Sequence, residues 1–93
     1  MSDIPEELRR IYSPSAMLQV VTVEVDARGL ACPLPLLKAR QGLRNLQRNE
    51  LVRVLATDAG SLKDFVSFAR LTGQHIESFY AQDKVYYYLI RKQ

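Results

Sequence analysis

Two prolines one residue apart, Pro33 and Pro35, stand at the head of a helical pattern and fix where that helix must begin. A proline ring collides with the preceding turn and has no N–H to donate, so both are tolerated only in the first turn, whose amides have no helical partner. From Pro33 to about Gln47, Leu36, Ala39, Leu43 and Leu46 recur at three- and four-residue steps, the stripe of one buried face. Lys38, Arg44 and Arg48 fall off that stripe and Arg40 lies at its margin. Gly42 costs about 1 kcal/mol relative to Ala inside a helix, and a close packing contact would account for it. Asn49 suits the left-handed position that ends a helix.

The segments around this helix read as strands and one more helix. Val20 to Val25 alternates with period two, and Asp26-Ala27-Arg28-Gly29 ends it with turn chemistry. Leu51 to Thr57 is almost wholly apolar, as expected of a strand near the middle of a sheet. After the turn Asp58-Ala59-Gly60, Ser61 and Asp64 have the spacing of a capping box at the start of a second helix, which Thr72-Gly73 stops. Two strands follow, about Gln74 to Tyr80 and Lys84 to Arg91, joined by Ala81-Gln82-Asp83. The order is β-α-β-α-β-β. Two helices of this size cover one face of a four-stranded sheet, so the expected fold is an α/β (α+β) two-layer sandwich with a mixed sheet. Residues 1–18, broken by Pro5 and Pro14, read as a loosely attached N-terminal extension, and residues 19–93 as the one domain.

Composition excludes several function classes. The chain has 93 residues, 47% of them hydrophobic and 25% charged, the balance of a soluble globular protein. No apolar run approaches the roughly 20 residues of a membrane helix. The N-terminus lacks the apolar stretch of a secretory signal, so a cytoplasmic location is expected. One cysteine cannot form an internal disulfide, and one Cys with one His cannot build a zinc site. No metal or cofactor is called for. A net charge of +3 permits an acidic partner or RNA and requires neither.

Chemistry therefore centres on Cys32. With Cys32 as N-cap, Pro33 is the first helical residue and Pro35 the third. The sulfur then lies at the positive end of the helix dipole, within reach of the Leu34 and Leu36 N–H groups. Both effects favour thiolate, below the free cysteine pKa of about 8.5. Arg28 and Lys38 add positive charge nearby in sequence. From the residues alone two readings stay open: a reactive thiol, or a buried cap without chemistry, the commoner fate of a lone cysteine.

The stretch Asp26-x-x-Gly29-x-x-Cys32-Pro33-x-Pro35, followed by Leu36-Leu37-Lys38-Ala39, resembles the TusA/SirA family of small sulfur carriers. Ala56-Thr57-Asp58-x-Gly60-Ser61 with Asp64, Thr72-Gly73 and the terminal Ile90-Arg91-Lys92 continue the resemblance, which covers about residue 20 to the end. It implies that Cys32 accepts sulfur as a persulfide from a cysteine desulfurase and passes it to a downstream sulfur-accepting protein. The implied pathways are tRNA 2-thiouridine formation, molybdenum cofactor maturation or oxidative sulfur metabolism. Where Ala59 stands the family often has Pro, and the N-terminal extension is longer than in minimal members.

Other residues carry weaker signals. Gly29 supplies a conformation that side chains disfavour, and Asp26 satisfies turn amides; both are expected beside the site. Asp58 belongs at the same sheet edge, because loops after parallel strands lie together. His75 reads as strand or turn packing rather than a base. Arg40, Arg44 and Arg48, spaced four apart, form one helix row: a solvated face, or a docking row for an acidic protein surface or, less favoured, nucleic acid. Rival readings are a regulatory or nucleic-acid-binding module using that row, and an adaptor in which the cysteine loop is structural. A thiol–disulfide oxidoreductase would need a second cysteine.

Overall fold

The computed structural model describes residues 3–93. Its elements are α1 (Glu6–Arg9), α2 (Ser15–Leu18), β1 (Val23–Ala27), α3 (Leu34–Arg44), β2 (Leu51–Ala56), α4 (Gly60–Thr72), β3 (His75–Gln82) and β4 (Val85–Arg91). The four strands form one sheet in the order β1-β2-β4-β3. β1 and β2 are parallel, joined through α3, while β4 runs antiparallel to both of its neighbours. β2 and β3 therefore point the same way with β4 between them, and α4 is the crossover that skips a strand.

The strand pattern explains which face is which. Val52, Val54 and Ala56 of β2 and Tyr88 and Ile90 of β4 are fully buried against α3 and α4, together with Ala27, Phe65 and Phe79. Leu51 and Leu89, offset by one residue, face the other way. β2 is apolar on both faces except at Arg53, which pairs with Glu24, as expected of a central strand. Gly42 lies over β1 and β2: a Cβ there would stand 3.0 Å from Val25 Cγ2 and 3.6 Å from Val52 Cγ2. That approach is the packing contact its mid-helix cost calls for.

Element ends shift where long-range bonds compete with local pattern. α3 stops at Arg44, not near Gln47, and the Lys92 ammonium donates to the Leu43 carbonyl at 2.7 Å, satisfying a terminal acceptor. Asn49 does take the left-handed conformation (φ 74°), but in the turn before β2, where its N–H bonds to the Lys92 carbonyl. β1 begins at Val23 and runs on through Asp26 and Ala27, which were expected in the turn; Val20 is in solvent. The last hairpin is longer than expected, pairing Gln82 with Val85 and turning on Asp83 and Lys84, both at positive φ. That two-residue geometry matches the twist of its strands.

Residues 4–18, expected to be loosely attached, dock instead; the first two residues of the extension lie outside the described range. Ile4 and Leu8 enter the main core, with Leu8 only 1% exposed. The chain then passes the β3 edge, where the Ser13 N–H donates to the Phe79 carbonyl (2.8 Å) and the Phe79 N–H to the Ile11 carbonyl (3.1 Å). The Tyr12 hydroxyl donates to the Ala81 carbonyl at 2.8 Å. Beyond that edge α2 reaches the opposite face of the sheet, where Ala16 is buried with Leu51 and Leu89. The segment thus caps an edge strand whose free amides would otherwise stay open.

Candidate functional site around Cys32

β1 and β2 are parallel, so the loops that follow them emerge at one end of the sheet. The loop after β1 turns on Gly29, whose φ of 81° is a backbone conformation that side chains rarely adopt. Its N–H donates to Thr57 Oγ1 at 2.9 Å, tying the two loops together. Asp58 completes the tie: one carboxylate oxygen accepts the Cys32 N–H at 3.2 Å and the Gly60 N–H at 3.0 Å. Asp58, rather than Ser61, thus bonds the first amide of α4, that of Gly60.

Ser61 lies inside α4, 1% exposed, and shares a 2.8 Å hydrogen bond with the buried Tyr88 hydroxyl. Asp64, expected to complete a capping box, instead faces the cysteine. The Cys32 thiol donates to Asp64 Oδ2 with Sγ···O of 2.6 Å. Gly60 and Asp64, four residues apart, share one side of α4 and present it to the sulfur. Among the site's residues Asp64, Gly60 and Thr57 were not singled out from the sequence as functional. Their signal was there in the Thr57-Asp58-x-Gly60 run, but Asp64 has the same spacing in a cap as in a site.

Cys32 is exposed, as a reacting thiol must be. It stands two residues before the first residue of α3, with Pro33 in the N-cap position and Pro35 buried in the first turn. The expected N-cap geometry is therefore shifted by one residue, and the Leu34 N–H is taken by the Ala31 carbonyl at 2.9 Å. The expected thiolate is also overturned. The hydrogen bond to Asp64, partial desolvation and the negative charges of Asp64 and Asp58 push the Cys32 thiol above its ordinary range. With the Leu34 N–H already taken, the two carboxylates are the charges that face the sulfur.

The cations expected to offset them do not. Arg28 is held by Asp26 in a two-pronged ion pair, at 2.9 and 2.8 Å, which lowers the Asp26 carboxyl to about 2. Lys38 is exposed on the second turn of α3. Arg40 and Arg44 are exposed on α3, but Arg48 falls in the loop beyond it, so the row of three is broken. Arg44 lies ten residues from the helix start, about 15 Å along the axis. Leu34 and Leu37, 46% and 43% exposed, give the start of α3 an apolar surface beside Cys32. His75 pairs with Arg91, which also pairs with Leu51 at the start of β2. It therefore lies at the opposite end of the sheet from Cys32.

Comparison with known proteins places this geometry. Residues 23–92 match the family described as sulfurtransferase TusA, from the first residue of β1 to just past β4. The sulfur carrier protein TusA of Allochromatium vinosum is 41% identical over 69 residues, covering 74% of this chain and 91% of that protein. A putative sulfur carrier protein of Neisseria meningitidis is 42% identical over 62 residues, covering 67% and 84%. The crystal structure of a SirA-like protein from Desulfitobacterium hafniense superposes with a TM-score of 0.67 at 25% identity, covering 75% of this chain and 96% of that one. α1 and α2 stand outside the matched family segment. By sequence and by fold, the chain belongs to the TusA sulfurtransferase family.

Proposed function

We propose that this protein is a sulfur carrier in which Cys32 takes up sulfur as a persulfide and hands it on. The observation that carries the reading is the exposure of the chain's single thiol at the joined ends of β1 and β2, within the segment shared with TusA relatives. In the loading step the Cys32 thiolate attacks the terminal sulfur of a donor persulfide. A new S–S bond forms on Cys32 Sγ, the donor's S–S bond breaks, and the donor leaves as a thiolate. No electrons are gained or lost overall, so neither metal nor organic cofactor takes part. In the unloading step a thiolate of the acceptor protein attacks the outer sulfur, and Cys32 is released unchanged.

With one cysteine the chain has no second thiol to resolve the persulfide, so both exchanges use partner thiols. We assign the donor role to a cysteine desulfurase and the location to the cytoplasm, where a thiol stays reduced. The acceptor belongs to one of the thiolation or cofactor-sulfuration routes, tRNA thiolation and molybdenum cofactor maturation among them. Asp26, Arg28, Gly29, Pro33, Pro35 and Asp58 hold the loop in shape, while Leu34 and Lys38 meet the partner. Arg40 and Arg44 extend that surface along α3.

Incubation with a cysteine desulfurase and cysteine, followed by intact mass measurement, tests this. The native protein is expected to gain the mass of one sulfur, lost again on reduction, and Cys32→Ser to fold normally and gain none. A native protein whose mass stays unchanged would falsify the reading.

A further inference from the structure

We infer that Asp64 is a positioning residue that keeps Cys32 protonated in the free protein, and that sulfur moves only when a cationic group of the partner engages this carboxylate. The inference rests on the carrier reading and specifies what a partner must bring to the site.

The geometry is asymmetric. Of the two carboxylates beside the sulfur, Asp58 is pinned by the Cys32 and Gly60 amides, so its negative charge is already solvated by the backbone. Asp64 has no such anchor; the Cys32 thiol is the hydrogen-bond partner seen for its side chain. Neither carboxylate forms an ion pair among the described residues, although the chain carries 13 Lys and Arg against 10 Asp and Glu. The cation nearest to Cys32 in sequence, Arg28 on the loop after β1, is held by Asp26. On α3 the first cation is Lys38, exposed one turn into the helix, and on α4 Lys63 is exposed beside Asp64. Both carboxylates are half-buried, so a partner can reach them but water screens them incompletely.

A thiol in this arrangement is poorly suited to attack, because forming the thiolate would set three negative charges together. A Lys or Arg next to the donor's persulfide would remove that penalty on docking. With Asp64 engaged by the cation, the proton passes from Cys32 Sγ to water, and the thiolate forms where the persulfide waits. The same arrangement keeps the free carrier from reacting with stray disulfides, since thiolate is the attacking form.

The test compares native protein, Asp64→Asn and Asp64→Glu. Alkylation of Cys32 by iodoacetamide, followed from neutral to alkaline pH, needs no sulfur donor. The Asn variant is expected to titrate at a lower midpoint. At neutral pH it should be alkylated faster, by about tenfold for every pH unit that separates its midpoint from the native one. The Glu variant should stay near native. A midpoint in the Asn variant equal to or above native overturns the assignment, as does a Glu variant that behaves like Asn. If the Asn variant does not fold, titration of the Cys32 Cβ chemical shift in native protein decides instead. A midpoint at or below that of free cysteine overturns the inference.

Sulfur uptake from a desulfurase then tests the partner's cation. Added salt should slow uptake in native protein more than in the Asn variant. Equal salt dependence in both overturns the cationic partner. A shifted alkylation profile in a native protein that never takes up sulfur overturns the carrier reading and leaves the assignment of Asp64 standing.

Discussion

A methyl group at position 60 would fall 2.8 Å from Asp58 Oδ2, 2.9 Å from Cys32 Cβ and 3.3 Å from Cys32 Sγ. The Asp58 oxygen holds two amides and Cys32 Cβ is fixed by its backbone, so the loop itself must move. In Gly60→Ala a gain of up to about 1 kcal/mol in helix propensity opposes a crowding cost of about 1–3 kcal/mol. Stability measured by urea unfolding should therefore change little, by about 1 kcal/mol. Sulfur uptake should fall by about tenfold or more, because a displacement of the reacting atom on the order of 1 Å is costly. Native uptake rates in this variant would show that the loop adapts. Gly60 illustrates what the sequence conceals: it reads as a turn residue, and only the sulfur lying against it reveals a steric role. Cys32, Gly29 and the proline pair were legible because their constraints are local. Asp64 was not, since an i, i+3 spacing from Ser61 describes a cap equally well, and the choice was made by Tyr88, which takes the serine hydroxyl.

At the level of elements, the long ones declared themselves through periodicity and the short ones did not. α3, α4 and the four strands each repeat their pattern over enough residues to be read, with ends displaced where Lys92 or the hairpin turn intervenes. α1 and α2 have four residues each, too few to show a period, and the prolines before them suggested an open segment. They are held by distant parts of the chain: Leu8 of α1 lies in the main core, Ala16 of α2 against Leu51 and Leu89, and Tyr12 between them bonds to the Ala81 carbonyl. Leu8→Ala tests whether this arm is energetically part of the fold. A leucine so fully buried should cost about 2–4 kcal/mol in urea unfolding, within one cooperative transition. A change below about 0.5 kcal/mol would mean that the arm contributes little to the folded state.

Across the whole molecule, a buried polar pair joins the start of α4 to the centre of the sheet. Tyr88 is fully buried on β4, stacked on Phe65 with ring centroids 4.0 Å apart, and its hydroxyl meets Ser61 one residue beyond Gly60. Burial raises the Tyr88 phenol well above its ordinary value of 10.0, and the Ser61 hydrogen bond only partly offsets this. In the unfolded chain the same phenol ionises near its ordinary value. The native state thus holds this proton more tightly, and by linkage its contribution to stability is complete below pH about 10 and declines above it. Native protein should lose stability as pH rises past about 10, by urea midpoints at a series of pH values. Tyr88→Phe, with no proton to lose there, should show a shallower decline even though it starts less stable, because Ser61 is left without its partner. Parallel declines in the two proteins would place the alkaline sensitivity elsewhere.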